Sequence, residues 1–454
     1  MVNISTNKIS EAVYNLCLQA NTCLDADIYD IVYKKFINEQ NEAEKQKLYN
    51  ILKNAKIAYE KKRPLCQDTG QVIIFLEIGE NVKLEGNNLK KIINEAVEKS
   101  YNDNYFRKSV VHNAIFDRTN TNTNTPAIIY TDIIEGEHIN IKLLVKGAGS
   151  ENYSNIKVLT PTATRTELFE YIKTTIANAG EKSCPPFVIG IGAGGTIETA
   201  GILSKLAFFE TKNTQAELDF LNELKNFLKE CNNNILDIKI KTTATHIASL
   251  PVAITMNCHS TRHAECSVTK EAILYKNTTP TFKKITNTEN KLKEIQTSEI
   301  DKLKKLVPGE RFLLTGKIYT ARDAAHKKLL EEYKKNKNLK IELKDKIIFY
   351  AGPCPSSSNE VIGPIGPTTS ARMDAFMNFM QTQGLFATIG KGERSNEANK
   401  IIQESGGKYF TAQGGIASLL AKCVKENNVI LYEDLGPEAI RELYVEKLPL
   451  TVDI

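Results

Sequence analysis

Apolar residues recur three and four positions apart from about Ile9 to Tyr59, with Glu and Lys on the other face, which predicts helices there. The pattern then changes. Val72 to Leu76 is a continuous apolar run and reads as a buried strand. A helical period returns from about Asn88 to Asn102. A polar loop rich in Thr and Asn follows, from Arg118 to Pro126, and then come strand patterns at Ala127–Tyr130 and Ile139–Val145. Thr164 to Ala179 is helical, and a strand starts at Phe187. It runs into the glycine stretch Gly190 to Thr196, read as a loop before a helix with Glu198 in its first turn. From about Leu274 to Leu306 the apolar rhythm gives way to Lys, Thr, Asn and Glu. Strands resume at Arg311–Thr315 and Lys346–Tyr350, a helix begins near Asp323, and a further strand ends at Ile389.

Strands alternating with helices predict an α/β protein. The polar stretch divides it into an N-terminal mixed α/β domain, 1–285, a linker, 286–306, and a C-terminal domain, 307–454. A chain of 454 residues is long for a single core, which agrees with that division.

Composition narrows the function classes. Hydrophobic residues make up 41% and charged residues 25%, as in a globular protein. A net charge of +5 is mild for this length, and the basic residues are interleaved with acidic ones, so nucleic acid is not an expected partner. No apolar run is long enough to span a membrane, and the N-terminus lacks the basic and apolar regions of a secretory signal. A cytoplasmic location is therefore expected. Nine cysteines, an odd number spread along the chain, do not resemble a secreted disulfide framework. Such cysteines serve as core residues, catalytic thiols or metal ligands.

The densest chemistry is RPLCQDTG, Arg63 to Gly70, which sets a thiol, a carboxamide, a carboxylate and a hydroxyl in consecutive positions before a strand. Lys146–Asn152 reads KGAGSEN, where small residues beside a Lys let an anion approach the backbone. Cys184 precedes two prolines that hold it on a stiff backbone. Cys258-His259-Ser260-Thr261-Arg262-His263 crowds reactive types together. A zinc reading of Cys258 with His263 lacks the paired spacings of a zinc module. Arg322, Arg372 and Lys391 each stand beside Gly- or Ser/Thr-rich loops, as binding a small dicarboxylate requires.

Read together, RPLCQDTG, KGAGSEN, SCPPF with IGAGGTIE, THIASLPVA with CHSTRHAE, LLTGKIYTARDAAH, and GPIGPTTSARM with IGKGE resemble the class I fumarases. These are iron–sulfur hydro-lyases whose family also includes L-tartrate dehydratase. The resemblance runs to near Leu435 and is to the fused form, in which α-type and β-type parts share one chain. One departure is Thr123 before Asn124-Thr125-Pro126, where the family often has a Gly-Asp pair.

The resemblance implies a homodimer in the tricarboxylic acid cycle, with a [4Fe–4S] cluster in the N-terminal domain and a swivelling β/β/α C-terminal domain. It implies Cys66, Cys184 and Cys258 as cluster ligands, leaving one iron open as a Lewis acid. Cys354, also followed by a proline, is the rival ligand, while Cys231, Cys266 and Cys423 carry no such signal. Thr368 matches the proposed base, Asp68 the acid, and His246 a supporting group. Gln67, Arg107, Gly149 (or Gly147), Arg322, Arg372 and Lys391 match groups at the substrate. The implied reaction is hydration of fumarate to L-malate; L-tartrate and mesaconate are the alternative diacids.

Overall fold

The computed structural model describes residues 1–209, 213–229, 234–286 and 292–454. Cys231 and residues 287–291 of the expected linker lie outside them. The chain forms two compact units. One comprises Met1–Asn38, Ala58–Arg63 and Asp68–Lys283; the other Glu39–Ile57, Pro64–Gln67 and Lys284–Ile454. Both mix helices with sheets, so the α/β expectation holds. No helix among the described residues is long and apolar enough to cross a membrane.

The strands of the first unit are β1 (Val2–Ser5), β2 (Gln71–Gly79), β3 (Val82–Glu85), β4 (Ile128–Ile134), β5 (Ile139–Lys146), β6 (Asn155–Leu159), β7 (Phe187–Gly195), β8 (Ile235–Thr245), β9 (Leu250–Cys258), β10 (His263–Val268) and β11 (Ile273–Tyr275). β1 pairs with β3. The order β11-β10-β5-β2-β4 makes one sheet and β6-β9-β7-β8 another. The two-residue period of β2 and β5 buries Val72, Ile74, Leu76, Ile141, Leu143 and Val145. Against them pack Ile9, Val13 and Leu16 of helix Thr6–Thr22 and Ile93 and Val97 of helix Leu89–Asp103. Each such side chain contributes about 1.5–3 kcal/mol by leaving water.

Strand register brings four loops to two neighbouring strand ends. Gln71 pairs with Lys146, and His263 pairs with Leu144. The chain entering β2, the chain leaving β5 and the chain entering β10 therefore meet. In the other sheet Phe187 pairs with Cys258, which sets the Cys184 loop beside the end of β9.

The glycine stretch differs from expectation. Gly190 and Gly192 lie inside β7, not in an anion-binding loop. Helix Ile197–Leu206 presses its backbone on them: a Cβ on Gly190 would meet the Ser204 carbonyl oxygen at 2.1 Å, and one on Gly192 the Ala200 oxygen at 2.1 Å. These glycines serve close helix-on-strand packing.

The second unit contains β12 (Lys293–Gln296), β13 (Arg311–Thr320), β14 (Ile347–Phe349), β15 (Ala387–Gly390), β16 (Lys408–Thr411), β17 (Val424–Leu431) and β18 (Ile440–Val452). They follow the order β12-β13-β14-β15-β16-β18-β17, and β18 also pairs with β13, so the sheet closes on itself. The polar stretch contributes to this sheet: β12 runs parallel to β13 with Ile295 buried, and helix Ile300–Lys304 buries Leu303. Most of helix Glu42–Lys61 also belongs here. Asn54 donates to the Leu65 carbonyl at 3.0 Å and accepts from Leu419 N at 2.9 Å, while Ser418 donates to the Pro64 carbonyl at 2.8 Å.

Candidate active site

In the first unit the site is built on Asp68. The loop turns at Gly70, where φ is +62° and a Cβ would meet the Lys146 carbonyl at 2.7 Å. Tyr101 donates to the Thr69 carbonyl at 2.5 Å and Asn124 to the Gly70 carbonyl at 3.0 Å. Asn124 is fully buried and also accepts from Ser109 N at 2.9 Å. The loop read as a polar connection is thus fastened to the site through one side chain.

Asp68 receives the N–H of Gly70 at 3.2 Å and of Ala148 at 3.0 Å, and lies 3.4 Å from Arg107 Nη2. Arg262, buried, donates to the Asp68 carbonyl. Burial alone would push the Asp68 carboxyl up. The guanidiniums of Arg107 and Arg262 and the two N–H groups outweigh it, so the net shift is downward. The side chain keeps 22% of its surface, so its desolvation is incomplete and the charged form is the resting one.

Gly147 is needed beside this carboxylate: a Cβ there would meet Arg262 Nη2 at 2.8 Å and Asp68 Oδ2 at 3.1 Å. Gly149 lies two residues further on, and its carbonyl accepts from Ser183, the neighbour of Cys184, at 3.3 Å. Cys184 sits in the left-handed region, with φ 59° and ψ 71°, a conformation that costs a non-glycine residue energy. Cys258 Sγ is 2.9 Å from Ser260 Oγ, a hydroxyl placed to serve a thiolate. Lys146, buried, donates to Ser150 Oγ at 2.6 Å and the Met256 carbonyl at 2.7 Å; burial draws its ammonium down to about 8, with Glu151 pulling the other way.

His263 turns away from Cys258. Its Nδ1 is 2.7 Å from the Thr261 carbonyl and its Nε2 3.6 Å from Asp25, with the ring against Phe209. That removes the zinc reading. His246 occupies an exposed turn, accepting from Ala248 N at 3.1 Å, next to Ile247, which is 92% exposed.

In the second unit Gln67 faces the GPIGPTT loop, and Cys66 Sγ lies 3.5 Å from Gln67 Oε1. Gln67 donates to the Pro367 carbonyl at 3.2 Å, and a Cβ on Gly366 would meet its Oε1 at 2.5 Å. Cys354 is buried and donates to the Gln67 carbonyl at 3.4 Å, a supporting contact to the loop. Thr368 N donates to the Tyr350 carbonyl at 2.7 Å, and Lys391 N to the Thr368 carbonyl at 3.2 Å, so the Thr368 and Lys391 loops are laced together. Arg372 Nη1 lies 3.4 Å from Thr368 Oγ1. Asp323 grips Arg372 from the other side, with Nε to Oδ1 at 2.9 Å and Nη2 to Oδ2 at 2.6 Å. Arg322 is paired with Glu438 at 3.1 Å and lies 3.7 Å from Asp323.

The acidic partners of these arginines were not evident in the sequence, although Asp323 adjoins Arg322. Arg262 was hidden among the cysteine and histidines of its motif. Under the Thr368 loop lies another unforeseen residue, Arg394, whose fully buried side chain holds Asp374 at 2.8 Å.

Thiols are the ligand type that an iron–sulfur cluster takes. Cys66 and Cys258 are buried, Cys184 is partly so, and none is in a disulfide. Among the described residues no three Cys, His, Asp or Glu side chains converge as ligands of one metal ion.

Residues 10–267 match the family described as Fumarate hydratase (Fumerase), and residues 268–454 match Fumarase C-terminus. The chain is similar to the aerobic class I fumarate hydratase of Escherichia coli, 30% identical over 90% of this chain and 81% of the relative. It is also similar to two proteins of Methanocaldococcus jannaschii named as L(+)-tartrate dehydratase subunits. The alpha subunit is 36% identical over 57% of this chain and 96% of its own length; the beta subunit is 44% identical over 33% and 80%.

Proposed function

The chain belongs to the fumarate hydratase family, and from that premise we propose that it hydrates fumarate reversibly to L-malate as a [4Fe–4S] hydro-lyase. The observation that carries this reading is the similarity to a class I fumarate hydratase along 90% of the chain, across both family regions. Cys66, Cys184 and Cys258 would hold the cluster. When bound, it supplies a Lewis-acidic iron toward the substrate's hydroxyl and carboxylate.

The chain's own residues do the rest. In hydration Asp68, resting as a carboxylate, takes a proton from the attacking water; in dehydration it returns that proton to the leaving hydroxyl. Thr368 Oγ1 exchanges the proton at the adjacent carbon. Its hydroxyl is a poor base in water, and the Arg372 contact supports the reading because a guanidinium N–H stabilises an alkoxide. Arg107, Arg322, Arg372 and Lys391 neutralise the two substrate carboxylates, with Gln67 and the backbone at Gly147–Gly149 giving polar contacts. His246 is a supporting group to be tested with them. The reading includes a cytoplasmic homodimer, with the C-terminal domain, 307–454, as the swivelling one.

A second reading has the same site acting on L-tartrate, favoured by the tartrate dehydratase similarity of each half. Protein purified without oxygen and assayed on fumarate, L-tartrate and mesaconate separates the readings. Fumarate is expected to give the highest kcat/KM; turnover of tartrate alone would refute the first reading.

A further inference from the structure

Two arginines meant for an anionic substrate already face carboxylates of the protein. Asp323 holds Arg372 two-pronged, and Glu438 holds Arg322. We propose that Asp323 is a positioning residue for proton transfer: it clamps Arg372 so that one N–H of the guanidinium faces the Thr368 hydroxyl. The inference rests on Thr368 as the base.

Asp323 is the first residue of helix Asp323–Asn336, and the N–H beside it, Ala324 N, is tied to Glu438 at 3.0 Å. The carboxylate therefore stands on a fixed element. Arg372 stands in the short helix Ser370–Phe376, one turn after Thr368. Its side chain is 48% exposed, so without a partner it would sample several rotamers. The Nε and Nη2 edge is given to Asp323 and the Nη1 end to Thr368. A fork engaged on two atoms fixes direction as well as distance.

Magnitudes separate orientation from the other uses of such a pair. An ion pair with one partner this exposed adds little to stability. A carboxylate beside Arg322 and Arg372 also opposes binding of a dianion. Neither consideration favours an acid here, whereas orienting the guanidinium does. To act in dehydration, Thr368 first releases its hydroxyl proton to solvent, and the alkoxide then takes the substrate's C–H proton. Arg372 donates a hydrogen bond to Oγ1 while it is charged. It can do so only when aimed, and misplacement by about 1 Å costs on the order of a hundredfold in rate.

The test uses the full-length, cluster-loaded protein and three variants, Thr368→Ala, Asp323→Asn and Asp323→Glu. The readouts are kcat and KM on malate, exchange of the malate C3 hydrogen with deuterated solvent, and calorimetric affinity for a non-reacting saturated dicarboxylate. Asp323→Asn is expected to lower kcat and exchange by about tenfold to a hundredfold, with KM unchanged or lower and dicarboxylate affinity equal or tighter. Asp323→Glu should recover part of the rate. Thr368→Ala should abolish exchange; wild-type exchange there would refute Thr368 as the base. Loss of exchange in Thr368→Ala together with wild-type kcat in Asp323→Asn would overturn the role of Asp323. A raised KM at unchanged kcat would overturn it too, by showing a binding role only.

Discussion

Removing Arg394 should destabilise the second unit severely. The side chain is wholly inaccessible and donates to Asp374 Oδ1 at 2.8 Å and Thr388 Oγ1 at 3.0 Å. Its guanidinium lies 5.4 Å from the Tyr350 ring and 5.3 Å from the Tyr409 ring. In Arg394→Met, Asp374 keeps only the Ser395 N–H at 2.8 Å among these partners, with 13% of its side chain exposed. Stranding one member of a buried pair costs about 3–5 kcal/mol, and the methionine stem refills much of the volume. A loss of about 4 kcal/mol is a large part of the 5–15 kcal/mol typical of a domain. Urea unfolding followed by tyrosine emission reads it directly, since the chain has no Trp. The double variant Arg394→Met/Asp374→Asn should recover about half of the loss, because no carboxylate is then left unpaired. A single variant within about 1 kcal/mol of wild type, or a double variant worse than the sum, would refute the stranded-charge argument.

Anaerobically prepared protein should contain about four irons per chain; Ser at Cys66, Cys184 or Cys258 should lower that count, and Ser at Cys354 should not. Gly147→Ala should cut kcat by at least about tenfold in steady-state assays, as its Cβ would meet Asp68 Oδ2 at 3.1 Å and Arg262 Nη2 at 2.8 Å. His326 is fully buried, and burial draws its imidazole down to about 4. Its folded value lies below the unfolded one, so the unfolded chain binds the extra proton. The stability this protects is complete above about pH 6.5 and is lost as the pH falls toward about 4. The loss should reach about 3 kcal/mol, and pH-dependent urea melts of His326→Gln should lack that limb.

The elements that rest on periodicity were legible. The run Val72–Leu76 lies within β2, and helix Arg165–Ala179 matches its pattern. Its capping box of Thr164 and Glu167 explains the sharp start. What failed was chemistry inferred from composition. Glycines at 190 and 192 suggest a loop until a helix is known to press on them, and the polar segment 293–296 hides a strand because only Ile295 of its four residues is buried at the sheet edge. In the candidate site, residue types singled out the loops. Which side chain orients which depends on contacts between distant segments, such as Asp323 with Arg372, that no local pattern encodes.

The division of the chain into units has a consequence for gene fission. Glu39–Ile57 and Pro64–Gln67 count with the second unit although they precede most of the first. A single cut near Lys284 therefore yields no two self-sufficient products. The N-terminal piece would carry a helix whose Asn54 has lost Leu419, and a strip whose Pro64 and Leu65 have lost Ser418 and Ala417. Each half would be a fragment awaiting complementation, and the strip left unsupported ends on Cys66 and Gln67. For this chain split at that point, assembly would be a condition for completing the fold of the first product, not a step that follows it.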